Sequence, residues 1–375
     1  MAGTDWRGRA RKAVLGLKPY EPGKPIEEVQ RELGLDDVIK LASNENPLGP
    51  SPKAVEAAKR AVELVNYYPE DTNFELKRAL AVHHDVPEDW IAIGRGSDEV
   101  LLLTVLAFLD EGDEVIYADT SFVMYEFLGK LAGATCKAVP LTSDLRHDLE
   151  AMAAQVTERT KLVFIANPNN PTGTIVYQDE MEALMAALPP GVLVAFDEAY
   201  WHYVDHSLFP NVLQFLKTSS SGNVLLLRTF SKSYGLAGLR IGYGIGAPEV
   251  IRLINSTREP FNVSNVAQAA AVAALGDKEF LERTVQENQC GREFLTNELK
   301  LLGCEVIPSQ ANFVFVDVRR DGRLVFEELL KRGVIVRTGD VFGMPTYLRI
   351  TVGRREQNER LVAALREVLE ICEMN

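Results

Sequence analysis

The sequence has few cysteines and no long hydrophobic run, and each of these shortages excludes a class of protein. The four cysteines, Cys136, Cys290, Cys304 and Cys372, are widely separated and contain no Cys-x-x-Cys pair. This spacing argues against a disulfide framework and a zinc site, and it favours reduced thiols in the cytoplasm. No stretch reaches the roughly 18 consecutive apolar residues of a membrane span. Residues 1–22 also lack the apolar core of a secretory signal.

The chain also has fewer basic residues than acidic residues. The chain carries 40 lysines and arginines against 53 aspartates and glutamates, which gives a formal net charge of −13. Nucleic acids and anionic membranes attract basic patches, so neither is expected as a partner. A small anionic substrate is compatible with this balance, because a few local arginines suffice to bind it. His202 and His206 are four residues apart but lack the glutamate of a zinc-protease motif, so no metal is expected.

Between residues 90 and 246, short apolar runs alternate with helix-like segments. The seven runs are Trp90–Ile93, Glu114–Tyr117, Lys137–Val139, Leu162–Ile165, Leu193–Phe196, Val224–Leu227 and Ile241–Ile245. Nearly continuous apolar strands are typical of parallel sheets that helices cover on both faces. The length of 375 residues suggests about two domains. We therefore predict an α/β fold whose large domain, residues 41–275, holds a mostly parallel seven-stranded sheet flanked by helices.

The character of the sequence changes after about residue 275. The pattern predicts a helix, a strand, a helix, two strands and a final helix at Phe280–Leu301, Phe313–Val318, Leu324–Lys331, Val334–Arg337, Leu348–Val352 and Arg355–Cys372. This order predicts a smaller α+β domain at residues 276–375. Residues 1–40 are polar, with three prolines in their early part, and we expect this arm to pack with the small domain or with a partner chain.

One lysine follows the strand predicted at Val224–Leu227. Lys232 stands five residues after that strand. Burial would lower the pKa of its amine and make it a nucleophile that forms Schiff bases with carbonyl substrates or with pyridoxal phosphate (PLP). The alternative is a solvated surface lysine, which is the commonest state of this residue type. The other groups at the same edge of the sheet decide between the two interpretations.

Ligands of open parallel sheets bind at the carboxyl ends of the strands, where three further polar segments are expected. Residues 94–100 form a glycine turn before a helix whose N-terminus suits a phosphate, or else a helix capped by Ser97 or Asp98. Asn170 lies in a rigid turn with two Asn-Pro steps, for which a plain turn is the alternative. Asp197 follows a strand, where a protonated pyridine would stabilise it; an N-cap or a surface ion pair is the alternative.

Three more side chains would complete a site for PLP. Tyr200 lies three residues after Asp197 and could reach the same ligand. Ser231 and Arg240 flank Lys232 with a hydroxyl and a guanidinium, which suit a phosphate ester. Together the segments supply an amine for the aldehyde, a partner for the pyridine nitrogen, donors for the phenolic oxygen and a cradle for the phosphate. Each segment has its own alternative, but their joint occurrence favours a PLP site.

On these motifs the chain resembles the fold-type I PLP-dependent aminotransferases and, within them, the histidinol-phosphate aminotransferase family. The matching stretches are Leu41–Pro47, Asn66–Pro69, Gly94–Glu99, Asn167–Gly173, Asp197–Tyr200, Ser231–Arg240 and Leu348–Gly353. The resemblance implies PLP as cofactor, a homodimer, and transamination of histidinol phosphate with 2-oxoglutarate to imidazole acetol phosphate and glutamate, in histidine biosynthesis. The alternatives are a broad-range aromatic amino-acid aminotransferase and a threonine-phosphate decarboxylase-like lyase.

The resemblance also implies a role for each matching residue. Lys232 would bind PLP covalently and move protons, and Asp197 would pair with the pyridine nitrogen. Asn170 and Tyr200 would bind the phenolic oxygen. Phe122 would stack on the ring, with core packing as its alternative. The phosphate would be surrounded by Ser97, Asp98, Ser231 and Arg240 and, from the partner subunit, by Tyr68.

Four residues are implied to face the substrate, which would be a small amino donor or a 2-oxo acid. Arg349 would bind a carboxylate or a phosphate. Arg337 and Tyr20 would lie near the phosphate of histidinol phosphate, although a structural salt bridge is an equal alternative for Arg337. Asn46 would also face the substrate.

Overall fold

The computed structural model of the protein describes residues 5–17, 23–219 and 221–374, which form three sheets and the helices around them. The strands are β1 (Ile39–Lys40), β2 (Ile91–Gly94), β3 (Glu114–Ala118), β4 (Thr135–Val139), β5 (Thr160–Ala166), β6 (Leu193–Asp197), β7 (Val224–Thr229), β8 (Gly242–Gly246), β9 (Glu305–Ile307), β10 (Phe313–Asp317), β11 (Val334–Ile335), β12 (Arg337–Thr338) and β13 (Tyr347–Thr351).

The largest sheet has seven strands in the order β2-β8-β7-β6-β5-β3-β4. These are the seven strands predicted from the apolar runs, with ends that differ by one or two residues. The strands from β7 to β4 are parallel, whereas β8 runs antiparallel to both of its neighbours. The predicted α/β fold with a mostly parallel seven-stranded sheet is therefore confirmed.

Fourteen α-helices surround the sheets in the described ranges. They are α1 (Lys12–Leu15), α2 (Ile26–Leu33), α3 (Pro52–Val62), α4 (Phe74–His84), α5 (Ser97–Phe108), α6 (Met124–Ala132), α7 (Leu149–Ala154), α8 (Gln178–Ala187), α9 (Val212–Thr218), α10 (Pro248–Ser256), α11 (Asn265–Leu275), α12 (Lys278–Leu301), α13 (Gly322–Lys331) and α14 (Arg355–Met374). Within those ranges, no helix combines the length and the apolar character needed to cross a bilayer.

Both faces of the seven-stranded sheet are buried, because successive side chains of a strand point to opposite sides. In β6, Val194 and Phe196 pack into one hydrophobic cluster with residues of α3, α4, α8 and α11. Leu193 and Ala195 pack into a second cluster with residues of α5, α6 and α10. This double burial explains why the strands are continuous apolar runs, and it leaves polar chemistry to the strand ends.

A second, antiparallel sheet has the order β12-β13-β10-β9, and it shares one hydrophobic cluster with α12, α13 and α14. The single strand predicted at Val334–Arg337 is wrong: β11 pairs in parallel with β1 of the N-terminal segment, and β12 pairs with β13. Strand β9 was not predicted, because three residues at a sheet edge give too short a pattern. The pairing of β1 with β11 ties residues 39–40 to this part of the chain.

One glycine allows the N-terminus of α5 to lie against the large sheet. A Cβ atom added to Gly242, the first residue of β8, would lie 2.4 Å from the backbone nitrogen of Ser97. A side chain at this position would therefore push α5 away from the sheet. Glycine is the residue that permits such a close approach of two backbones, and here it brings a helix N-terminus to the carboxyl ends of the strands.

Candidate active site

The side chains singled out from the sequence converge on one cavity at the carboxyl ends of β5, β6 and β7. The predicted residues that line it are Ser97, Asp98, Phe122, Asn170, Asp197, Tyr200, Ser231, Lys232, Arg240, Arg337 and Arg349. We call the side formed by the large-sheet loops, with Asp197, Lys232 and Arg240, the large-sheet wall. The side formed by β12 and β13, with Arg337 and Arg349, is the small-sheet wall.

Lys232 lies between the two walls. Its Nζ atom donates a hydrogen bond to the backbone oxygen of Ser43 at 3.2 Å and lies 5.9 Å from the centre of the Tyr200 ring. Burial and, to a smaller extent, the positive charge of Arg349 lower the pKa of Lys232 to about 8. The amine is therefore neutral in a large share of molecules at mildly alkaline pH, as a nucleophile or a general base requires.

Asp197 is the last residue of β6 and is almost fully buried. Its Oδ2 atom accepts a hydrogen bond from the Tyr125 hydroxyl at 3.0 Å, whereas Oδ1 has no hydrogen-bond partner among the described residues. Burial raises the pKa of Asp197 to about 6, and the bond from Tyr125 partly opposes this rise. A cation placed against Oδ1 would satisfy this oxygen and stabilise the carboxylate, so the site fits a protonated pyridine nitrogen.

Asn170 and Tyr200 are oriented as hydrogen-bond donors to a ligand. The Oδ1 atom of Asn170 accepts a bond from Arg349 at 2.5 Å, which leaves its NH₂ group to donate. The Tyr200 oxygen accepts a bond from Asn44 at 3.0 Å and keeps its own proton to donate. Burial raises the pKa of Tyr200 to about 12, so the hydroxyl stays protonated. The pair suits an anionic oxygen such as the phenolate of PLP.

The N-terminus of α5 forms an anion cradle. Its N-cap is Gly96, with φ +79° and no capping side chain, so the alternative of a helix capped by Ser97 or Asp98 is wrong. The free N–H groups and the helix dipole favour an anion there. Arg240 contacts Asp98 at 3.1 Å, and a Cβ atom on Gly96 would lie 2.8 Å from the guanidinium of Arg240. Together with Ser231, these groups fit a phosphate ester.

The two arginines of the small-sheet wall lie directly opposite each other, in register, on β12 and β13. Arg349 is buried and donates to the backbone oxygen of Ala42 at 2.6 Å as well as to Asn170. Like charges at directly opposed positions of a sheet are destabilising. An anion between or beside the two guanidinium groups would relieve that repulsion. The small-sheet wall is therefore suited to carboxylate or phosphate.

Two predicted site residues of the described chain, Asn46 and Tyr68, do not line the cavity. The NH₂ group of Asn46 donates to the Ser233 backbone oxygen at 2.9 Å and to Thr284 at 3.3 Å, so it supports the loop that carries Lys232. Tyr68 lies on the surface and is 83% exposed. Tyr20 lies outside the described residues.

Four residues of the site were missed by the sequence analysis. Tyr125 and Asn44 hold Asp197 and Tyr200, as described above. Thr229 lines the cavity and donates to the Ser231 hydroxyl at 2.9 Å, and Ser43 accepts from the lysine. Ser43 and Asn44 lie inside a recognised motif, Thr229 lies two residues before another, and Tyr125 lies three residues after Phe122. A motif does not tell which of its side chains points inward.

A buried amine, a carboxylate with one unsatisfied oxygen, donors for a phenolate and an anion cradle around one cavity define a PLP-dependent enzyme. The chain belongs to the class I and II aminotransferase family, whose profile matches residues 36–365.

Relatives narrow this class. The chain is 52% identical to a histidinol-phosphate aminotransferase of Moorella thermoacetica, over 96% of this chain and 93% of that protein. It is 48% identical to histidinol-phosphate aminotransferase 1 of Nitrosococcus oceani, over 96% of this chain and 97% of that protein. The crystal structure of histidinol-phosphate aminotransferase from Sinorhizobium meliloti, a complex with PLP, superposes with a TM-score of 0.90 at 29% identity, covering 99% of each chain.

Proposed function

We propose that this aminotransferase uses PLP to move the amino group of histidinol phosphate to 2-oxoglutarate, giving imidazole acetol phosphate and glutamate in histidine biosynthesis. The observation that carries the proposal is the pair of in-register arginines, Arg337 and Arg349, facing the lysine across one cavity. Both proposed substrates carry an anionic group close to the reacting carbon: the phosphate of histidinol phosphate and the carboxylate next to the keto group of 2-oxoglutarate. The names of the relatives support the same reaction.

The residues of the large-sheet wall would hold the cofactor. PLP supplies an electron sink for the carbanion formed at Cα of the substrate. Lys232 would bind it covalently and would take the proton from Cα as the general base. Asp197 would keep a proton on the pyridine nitrogen through its unsatisfied oxygen. Asn170 and Tyr200 would donate to the phenolic oxygen, and Phe122 would cover the ring. The phosphate would be held by the backbone of Ser97 and Asp98 together with Ser231 and Arg240.

The residues of the small-sheet wall would select the substrates. Arg349, which donates hydrogen bonds to Asn170 and to the backbone oxygen of Ala42, would bind the carboxylate next to the keto group of 2-oxoglutarate. Arg337, the less buried of the two, would bind the phosphate of the donor together with Tyr20. A planar guanidinium binds carboxylate and phosphate through two parallel hydrogen bonds, which fixes the orientation of the ligand as well as its charge.

A panel of amino donors tests the reaction. Histidinol phosphate, phenylalanine, tyrosine and threonine phosphate would each be supplied with 2-oxoglutarate, and both glutamate and carbon dioxide would be measured. We expect the highest kcat/KM for histidinol phosphate. Equal turnover of the aromatic amino acids would instead identify a broad-range aromatic aminotransferase. Release of carbon dioxide from threonine phosphate without glutamate would identify a lyase, and glutamate from none of the four would refute transamination as proposed.

The protein would act as a homodimer. Around Tyr68 the surface is unusually apolar: Val62, Leu64, Val65, Tyr67, Phe74 and Phe261 are also exposed. An apolar patch of this kind marks a protein interface. A second copy bound there would place Tyr68 near the phosphate of the partner's cofactor. Light scattering would give the mass of a dimer, and Tyr68→Phe would weaken PLP retention; a monomer, or unchanged retention, would contradict this assembly.

Two further features complete the proposal. We place the large domain at residues 41–275 and the small one at 276–375, with residues 1–40 as an arm; the pairing of β1 with β11 supports contact between this arm and the small domain. Limited proteolysis near residue 275 would test this boundary.

We also place the protein in the cytoplasm. The free thiols of Cys136, Cys290 and Cys304 agree with a reducing compartment, and cell fractionation would test it.

A further inference from the structure

The exposed Tyr68 is held in place by one aromatic neighbour. Its ring stacks on that of Phe261, with centroids 4.8 Å apart and an angle of 23° between the planes. Both side chains lie on the surface, so burial contributes little to fixing them. Phe261 has φ +57°, a left-handed conformation that is rare and costly for a bulky residue. Something other than its own preference must therefore hold the backbone of Phe261.

An ion pair provides this hold. Asp71 accepts a hydrogen bond from the backbone nitrogen of Phe261 at 2.5 Å. The same carboxylate receives two bonds from Arg258, at 3.0 and 2.9 Å. These bonds keep the pKa of Asp71 near 2, well below its usual range, so the carboxylate stays charged at any working pH. Asp71 thus joins the segment that carries Tyr68 to the segment that carries Phe261.

The ion pair is also anchored in the interior. Arg258 donates to the Oδ1 atom of Asn262 at 3.0 Å, and Asn262 donates to the buried Glu99 at 2.6 Å. Glu99 in turn accepts from the backbone nitrogen of Arg95 at 2.7 Å, in the loop that precedes the anion cradle. A series of contacts therefore connects Tyr68 to the loop that precedes the anion cradle of its own subunit.

We propose that Asp71 and Arg258 are positioning residues for the partner's active site: they fix Phe261, and through it Tyr68, in the orientation that completes the phosphate site of the second subunit. This inference rests on the homodimer proposed above. According to this inference, the ion pair of one chain affects PLP binding in the cavity of the other chain. A merely structural ion pair would act on its own chain, through stability, and would not depend on Tyr68.

Hybrid dimers with two affinity tags separate these effects. One chain of the dimer carries Lys232→Ala, and the other chain keeps Lys232. Only the cavity of the chain that keeps Lys232 can bind PLP covalently. In the proposed dimer, that cavity receives Tyr68 from the Lys232→Ala chain. Adding Tyr68→Phe to the Lys232→Ala chain removes one hydrogen bond to a charged phosphate, and we expect PLP to bind about tenfold more weakly. Adding Asp71→Ala instead should weaken PLP binding about three- to tenfold. The readout is the PLP dissociation constant from absorbance.

Three comparisons decide the matter. Asp71→Ala placed on the chain with intact Lys232 should leave PLP binding unchanged, and Tyr68→Phe combined with Asp71→Ala should be no worse than Tyr68→Phe alone. Glu249→Ala, which breaks the exposed Arg252–Glu249 pair, is the matched control and should change nothing. Asp71→Asn serves if the alanine variant is unstable. The inference would be overturned if Asp71→Ala on the chain with intact Lys232 weakened PLP binding. It would also be overturned if the effects of Tyr68→Phe and Asp71→Ala on PLP binding were fully additive.

The failure of the assembly and the failure of this inference are distinguishable. If Tyr68→Phe has no effect in trans, the cross-subunit contact itself is wrong and the positioning role falls with it. If Tyr68→Phe weakens PLP binding but Asp71→Ala and Arg258→Met do not, the contact stands and only the positioning role is overturned.

Discussion

The two walls of the cavity prepare for their ligands in different ways. On the large-sheet wall, Asp197 keeps a buried oxygen without a partner among the described residues, and the N-terminus of α5 has no capping side chain. On the small-sheet wall, Arg349 is held by Asn170 and by the backbone oxygen of Ala42. Unsatisfied buried groups are costly unless a ligand stays bound. The large-sheet wall thus suits a resident cofactor, and the two guanidinium groups of the small-sheet wall suit the anionic groups of substrates.

The difference also concerns how the backbone places the side chains. The large-sheet wall uses loops at the carboxyl ends of parallel strands, each of which contributes a short contiguous motif. The small-sheet wall uses side chains on two antiparallel strands, where the register brings Arg337 opposite Arg349. Variants should therefore divide into those that lose the cofactor and those that lose substrate affinity, and the predictions below test this division.

The largest effect is expected at Lys232. Lys232→Ala removes the covalent attachment of PLP and also the general base, which alone contributes about 10²–10⁴-fold to a rate. Transamination should be undetectable, and the absorption band of lysine-bound PLP should be missing. Lys217→Ala, at an exposed ion pair, is the control. A normal absorption band in Lys232→Ala would refute the assignment of this lysine.

A smaller loss is expected from Asp197→Ala. Leaving one partner of a buried ion pair alone costs roughly 3–5 kcal/mol. If about 3 kcal/mol falls on proton removal from Cα, the rate decreases on the order of a hundredfold. Stopped-flow measurement of the first half-reaction, with a donor deuterated at Cα, would show whether that step has become slow. An unchanged rate would mean that the unsatisfied oxygen does not hold the pyridine nitrogen.

The small-sheet wall should respond differently. Arg349→Gln removes charged hydrogen bonds worth about 1.5–3 kcal/mol each, so KM for 2-oxoglutarate should rise at least tenfold while PLP retention changes little. Arg337→Gln should instead raise KM mainly for histidinol phosphate. Steady-state kinetics together with the cofactor content of the purified protein would check both. Loss of PLP from Arg349→Gln would erase the distinction between the walls.

Tyr125→Phe should have a modest effect on the large-sheet wall. It deletes the hydrogen bond to Oδ2 of Asp197, a contribution of about 1 kcal/mol, so the rate should decrease about fivefold. Because this bond lowers the pKa of Asp197, its loss should raise that pKa. The pH profile of kcat/KM should accordingly lose activity at a higher pH on its acid side than the wild type does. An identical profile would exclude a role for Tyr125 in the charge state of Asp197.

The smallest effect is expected on the pKa of Lys232, which depends on the charge of Arg349 on the opposite wall. The neutral amine of Lys232 attacks PLP, so the rate of reconstitution from PLP and cofactor-free protein should rise with pH around the lysine pKa of about 8. The positive charge of Arg349 lowers this pKa, so Arg349→Gln should shift the midpoint upward. Comparing the two proteins cancels the titration of PLP itself. A midpoint that stays in place, or moves downward, would show that the two walls are electrostatically independent.

Much of the large-sheet wall was predictable from the sequence, whereas its supports were not. Continuous apolar strands followed by glycine, asparagine and aspartate motifs predicted the sheet and the cavity-lining residues at strand ends. The supporting residues Tyr125 and Asn44 could not be predicted in this way. They act through contacts with Asp197 and Tyr200 that lie far away in the chain. Asn46, inside a matching motif, was predicted to face the substrate, whereas its side chain donates to the backbone oxygen of Ser233.

The sequence by itself determined the fold class and the chemistry. A strand that is buried on both faces gives a continuous apolar run, and the polar residues at the end of such a strand form a short local motif. Only the tertiary structure decided which groups meet. The register of β12 and β13 placed Arg337 opposite Arg349, the glycine contact at Gly242 brought the α5 N-terminus to the sheet, and the Asp71–Arg258 pair oriented the surface at Tyr68. These relations depend on contacts between distant segments, and no local pattern in the chain records them.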